Sequence, residues 1–118
     1  MVRFIGIDLH KTAFTVCFLE GEEKRLESYK IGEMDRFRSE LRRDDKLALE
    51  TTTNTRSFIK QIRDAVGSIH VINTMQFKVV SQSVKKTDAN DAETMAFFLS
   101  KGMLPEVRMK DEHYAELE

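Results

Sequence analysis

Four carboxylates stand where they could share one task. Asp8 ends the apolar run VRFIGID, Glu50 ends KLALE, and Asp88 and Asp91 lie three residues apart in KTDANDAETMAFFLSKG. Residues three apart on an α-helix project within about 60° of each other, so the last two are neighbours at a helix opening. Taken alone, that pair reads equally as a cap plus a second acid facing the positive end of the helix dipole. Asp8 and Glu50 add weight, because each closes an apolar run where a partly buried charge is costly unless it has a job. If the two runs are parallel neighbouring strands, their carboxyl ends open at one edge of the sheet, where open α/β sheets take ligands. Four acids gathered there raise one another's pKa and oppose folding. A hard divalent cation relieves the conflict, and oxygen-only ligands with no cysteine nearby favour Mg²⁺ or Mn²⁺ over zinc. Such ions activate an attacking oxygen and stabilise a leaving one on phosphorus, so the implied chemistry is phosphodiester cleavage or transfer.

The elements that must position these acids follow from hydrophobic period. Residues 2–8 are apolar on both alternating sets, as in a strand buried on both faces. Residues 12–19 and 25–31 read as two further strands around a Glu-Gly-Glu turn, completing an antiparallel meander. Met34, Phe37 and Leu41 mark a helix, residues 46–50 a strand, Phe58, Ile59, Ile62 and Val66 a second helix, and residues 68–73 a last strand. Strand-helix-strand alternation implies parallel pairing by right-handed crossovers. Residues 74–87 have no clean period and read as a loop with one irregular turn at most. From Asp88 the helical period returns through Ala92, Met95, Ala96 and Leu99, and Gly102 and Pro105 close it. The expected fold is α/β, a mixed sheet of three antiparallel and two parallel strands flanked by helices.

With 118 residues, 41% of them apolar, the chain supports one core. The expected organisation is one domain over 1–105, with 106–118 opening a linker or helix that leads onward. The tail KDEHYAELE is polar and ends without a cap, and Leu117 and Glu118 read as a cloning scar or a natural frayed end. A net charge of −1 means that nucleic-acid binding must rest on local patches. The single cysteine, Cys17, excludes an internal disulfide and the thiolate-rich zinc frameworks, and fits a reducing cytoplasm. The longest apolar runs fall far short of the ~20 residues of a membrane helix.

Lys11, Lys78, Lys85 and Lys86 lie in connections expected near the acidic edge, where ammonium groups neutralise phosphates; each is also an ordinary solvated lysine when taken singly. The arginines at 36, 38, 42 and 43 read first as a soluble helix face. His10 follows the first acid closely enough to touch a phosphate or a metal-bound water, but a lone loop histidine more often does neither. His70 and Cys17 read as structural residues of strands. Met95, Phe97 and Phe98 read as core or as a surface that covers a partner.

Several motifs fall in register along the chain: FIGIDLHK with Asp8, ALETTTN with Glu50, VINTMQFK, and KTDANDAETMA with Asp88 and Asp91, followed by Leu104-Pro105. Together they resemble the DEDD transposases of bacterial insertion sequences, whose amino-terminal domain is similar to the RuvC Holliday-junction resolvase and has the ribonuclease-H-like fold. The GID opening is shared by many nucleotide-binding folds; the KTD-two-residues-DA segment is the specific element. The resemblance implies that Asp8, Glu50, Asp88 and Asp91 form a metal-binding catalytic tetrad for Mg²⁺ or Mn²⁺, acting on DNA in the bacterial cytoplasm and at the nucleoid. It also implies a guide (bridge) RNA, a homo-oligomer in the full-length form, and a second domain carrying a serine nucleophile. Ser81, Ser83 and Ser100 match no such serine motif. Three competing expectations stand beside this one. A stand-alone structure-selective nuclease would use the same acids. An actin-like ATPase would want a glycine soon after Asp8, where Leu9, His10 and Lys11 stand instead. A non-catalytic assembly or nucleic-acid-binding module would use the acids only as caps.

Overall fold

Local sequence explains the sheet directly. The computed structural model describes residues 2–50, 54–73, 75–77 and 91–104. Strands β1 (Arg3–Leu9), β2 (Ala13–Glu20), β3 (Glu23–Lys30), β4 (Lys46–Glu50) and β5 (Ser68–Ile72) form one sheet in the order β3-β2-β1-β4-β5. The β1–β2 and β2–β3 pairs are antiparallel, whereas β1–β4 and β4–β5 are parallel. Central β1 is the strand whose apolar residues occupy both alternating sets, and Ile5 and Ile7 on it are fully buried. Edge strand β3 is mostly exposed and charged, which suits a strand paired on one side only. The β2–β3 turn uses Gly21 at φ 64°, a left-handed conformation that glycine adopts without steric cost.

Helices α1 (Met34–Ser39) and α2 (Thr55–Ile62) cover one face of the sheet. Phe14 lies at their centre, with ring centroids 5.3 Å from Tyr29, 5.2 Å from Phe37 and 4.9 Å from Phe58. Helix α3 (Asp91–Lys101) covers the other face, where Met95, Phe98 and Leu99 pack on Ala48, Ile72 and Phe77. Gly102, at φ 69°, ends α3, and the Met103 N–H donates to the Phe98 carbonyl at 3.0 Å.

The mixed sheet and its helices match the sequence expectation, with strand ends displaced by one or two residues. Three local differences have physical causes. Helix α1 stops at Ser39, and Leu41 packs on the core from the connection that follows. Helix α2 stops at Ile62 and tightens into a 3₁₀ turn over Arg63–Ala65 before β5. Within the expected loop, residues 75–77 are helical and Phe77 is buried, so this stretch feeds the core under α3. The rest of that expectation, residue 74 and residues 78–87, lies outside the described residues.

A buried ion pair had no signal in hydrophobic period. Arg3 donates from Nε and Nη2 to the Asp45 carboxylate at 3.0 and 2.8 Å, and the Asp45 carboxylate also accepts the Arg42 N–H at 2.7 Å. The Asp45 carbonyl accepts the N–H groups of Gly67 and Ser68. This one residue therefore ties the start of β5 to the start of β1, which buried charge tolerates only with every lone pair engaged.

Candidate metal and nucleic-acid site

Side chains alternate between the two faces of a strand, so the face beneath α3 divides into rows across the sheet. One row runs Cys17, Gly6, Ala48 across β2, β1 and β4, and all three are buried. Helix α3 rests on it: a Cβ at Gly6 would lie 2.1 Å from the Ala92 carbonyl oxygen and 2.7 Å from the Ala96 nitrogen. Only glycine permits that approach.

The next row toward the carboxyl ends is polar. Ser28 on β3 pairs with Thr15 on β2, which pairs with Asp8 on β1. The β1–β4 register, continued one step past Ile7 and Leu49, sets Glu50 beside Asp8, and Ile72 completes the row on β5. The Asp8 carboxylate is about a quarter exposed, with His10 Nε2 at 3.2 Å from its Oδ2. Glu50 is half-buried, and its carbonyl accepts the Thr55 hydroxyl at 2.9 Å, linking the end of β4 to the first turn of α2. Asp91 is the exposed first residue of α3, one position before the Ala92 whose carbonyl faces Gly6.

Two predicted acids thus stand side by side on neighbouring parallel strands, and a third opens the helix seated on the same face. Asp88 lies outside the described residues. Among the described residues, no three His, Cys, Asp or Glu side chains gather closely enough to hold a metal ion. Lys11 is exposed in the β1–β2 connection, beside a cavity of about 130 Å³ that Leu9 and Ser57 also line. Lys78, Lys85 and Lys86 lie outside the described residues.

Other candidates resolve as structural. Cys17 is fully buried and its thiol is pushed up to about 11, first by burial and then by the nearby Glu93, which makes it inert at neutral pH. His70 shares a hydrogen bond with the Ser68 hydroxyl at 3.0 Å. Met95 and Phe98 are core, whereas Phe97 stands half-exposed on α3 beneath the Lys101 ammonium. A groove of about 510 Å³ at the opposite end of the sheet is lined by Arg3, Glu20, Lys24, Arg25 and Arg42. Its four cations already pair: Lys24 with Glu93, Arg25 with Glu40, Arg42 with Glu20, and Arg3 with Asp45. Glu23, which also lines the groove, adds a further negative charge.

Sequence period missed Thr15 and Ser28, because hydroxyl residues in strands read simply as strand formers. Counting outward from the short connection at 10–12 was the available signal, since it sets Leu9 across from Phe14 and hence Asp8 across from Thr15.

The sequence profile of the IS110-type DEDD transposase family, described as "Transposase", matches residues 5–118. No curated protein matches the chain. Among the described residues no helix is long and apolar enough to cross a membrane. The profile runs from within β1 through the rest of the sheet and α3, and the strand order with its three antiparallel and two parallel strands is that of the ribonuclease-H-like fold. A match of that extent, on a sheet of that topology, makes this chain a member of the IS110-type DEDD transposases.

Proposed function

We propose that this domain performs divalent-metal-dependent phosphodiester chemistry on DNA, with Asp8, Glu50, Asp88 and Asp91 as its acids. The observation that carries the reading is the placement of Asp8 beside Glu50 at the carboxyl ends of adjacent parallel strands. Carboxylates on neighbouring strand ends repel when they turn toward each other unless a cation or proton lies between them, and hard oxygen donors suit Mg²⁺ or Mn²⁺. Bound there, such an ion supplies Lewis-acid stabilisation of charge on phosphorus oxygens. Asp8 and Glu50 would hold it from the sheet and Asp91 from the opening of α3, with Asp88 as the fourth acid. Lys11 at the same rim, with Lys85 and Lys86, would position the strand by charge. In the complete recombinase we place this domain beside a further domain carrying a serine nucleophile, in a homo-oligomer guided by a structured RNA.

Calorimetric titration with Mn²⁺ tests the assignment. The wild type should bind, and the Asp8→Asn, Asp88→Asn double variant should lose binding while keeping its melting temperature. Equal binding by both proteins would refute it. Cutting of branched DNA by this chain alone would instead favour a self-sufficient nuclease.

A further inference from the structure

The polar row does not end at Asp8. Toward the open edge of the sheet it continues through Thr15 and Ser28, both on the α3 face, with Thr15 half-buried and Ser28 exposed. Strands in a sheet lie about 4.8 Å apart, so the two hydroxyls stand roughly one and two strand spacings from Asp8. The row one step inward holds Cys17 and Leu26 at the same strands, so the polar pair is confined to the rim. Ser39, Thr55, Ser68 and Ser100 each spend their hydroxyl on a hydrogen bond within the chain. Among the described residues, Thr15 and Ser28 make no such side-chain bond, as is also true of Thr12 and Ser57. Lys30, two residues beyond Ser28 on the same strand and face, is exposed; its ammonium forms no salt bridge among the described residues, although the Glu33 carboxylate that accepts the Lys30 N–H lies within its field.

We propose that Thr15, Ser28 and Lys30 form a track for the phosphodiester backbone of one DNA strand, leading from the acidic site to the β3 edge. The inference rests on the functional reading above and extends it by giving the strand a direction across the sheet. Neutral hydroxyls donate to non-bridging phosphate oxygens without adding charge beside Asp8, where a cation would compete with a metal. Lys30 supplies the positive charge at the far end, away from the acids. Helix α3 itself rests on the inner row of Cys17, Gly6 and Ala48, one step inward from this path.

The test compares the wild type with the Thr15→Val, Ser28→Ala double variant, binding a fluorescent single-stranded oligonucleotide in Mg²⁺. Thr15→Val preserves shape in a strand, and Ser28 is exposed, so both proteins should fold alike. The expected result is a loss of affinity on the order of a hundredfold from two bonds to charged oxygens. The slope of affinity against salt should stay unchanged, because neutral groups release no counterions. Lys30→Gln should reduce that slope, and Thr15→Ser should restore the Thr15 share. Unchanged affinity in the double variant overturns the track while leaving the metal reading intact. A parallel fall in Mn²⁺ affinity also overturns it, since the hydroxyls would then act through Asp8. No DNA binding by the wild type overturns the track and the functional reading together, and Mn²⁺ calorimetry distinguishes failure of the metal site.

Discussion

Gly6 and Ala92 meet so closely that a single methyl group on Gly6 would lie 2.1 Å from the Ala92 carbonyl oxygen. Gly6 is two residues before Asp8, and Ala92 is one residue after Asp91. The contact therefore sets the height at which the helix opening meets the acidic row. The obstacle is helix backbone, which cannot swing aside as a side chain would. Gly6→Ala should lower stability by about 1–3 kcal/mol or more, through overpacking, and should weaken Mn²⁺ binding beyond what that loss explains. Ala48→Val is the comparison, because Ala48 lies in the same row but packs in a cluster with the adaptable Met95 side chain of α3. Urea denaturation and calorimetry on both variants check this; equal Mn²⁺ affinity in Gly6→Ala and wild type would contradict it.

How much of this was legible beforehand depends on the kind of information. Asp8 and Glu50 could be found because a charge closing an apolar run is a local anomaly, and parallel pairing follows from the intervening helix. Gly6 read only as part of a GID opening, since the requirement for glycine comes from a helix 86 residues further on. Arg3 and Asp45 are likewise 42 residues apart, and hydrophobic period carries no trace of a long-range ion pair. Phe77 stood in a stretch without period, so only tertiary packing revealed it as core.

The Arg3–Asp45 pair gives a stability prediction independent of the site. Asp45→Ala leaves the Arg3 guanidinium buried without its counter-charge, and breaking such a pair costs about 3–5 kcal/mol. Because the pair lies at the opposite end of β1 from Asp8, Mn²⁺ affinity per folded molecule should not change. Denaturant melts scored beside calorimetry would show both effects, and an intact melting profile would disprove the structural role.

Alkaline pH should expose the burial of Cys17. Its folded-state value is raised from 9.0 to about 11, so the unfolded chain loses its proton first. The stabilising contribution is complete below pH 9 and disappears as pH rises toward 11, amounting to about 2–3 kcal/mol. Tyr29, raised chiefly by burial, adds loss in the same direction above its ordinary value. Urea midpoints at pH 8 and pH 10.5 should fall for the wild type and fall less for Cys17→Ala. A thiol reagent should react with Cys17 only as the protein unfolds; rapid labelling of the native chain would contradict the buried position.

The ion pair between Lys24 and Glu93 joins β3 to α3 at the surface, and the Glu93 carboxylate raises the Lys24 ammonium above its usual range. Both side chains are partly exposed, so Lys24→Gln should change stability only slightly, and that small effect should fade in high salt. A larger loss in melting experiments would mean that α3 is held by this pair and not by its seat on Gly6, Cys17 and Ala48.

The most direct measurement is paramagnetic broadening by trace Mn²⁺ in the ¹⁵N spectrum of this chain. Amide signals of Asp8, Leu9, Glu50 and Asp91 should broaden first, and Asp8→Asn should abolish the effect at all four. Broadening centred elsewhere, such as on the acidic residues of β3, or persisting at Glu50 and Asp91 in the Asp8→Asn variant, would contradict a shared metal site at the carboxyl rim of the sheet.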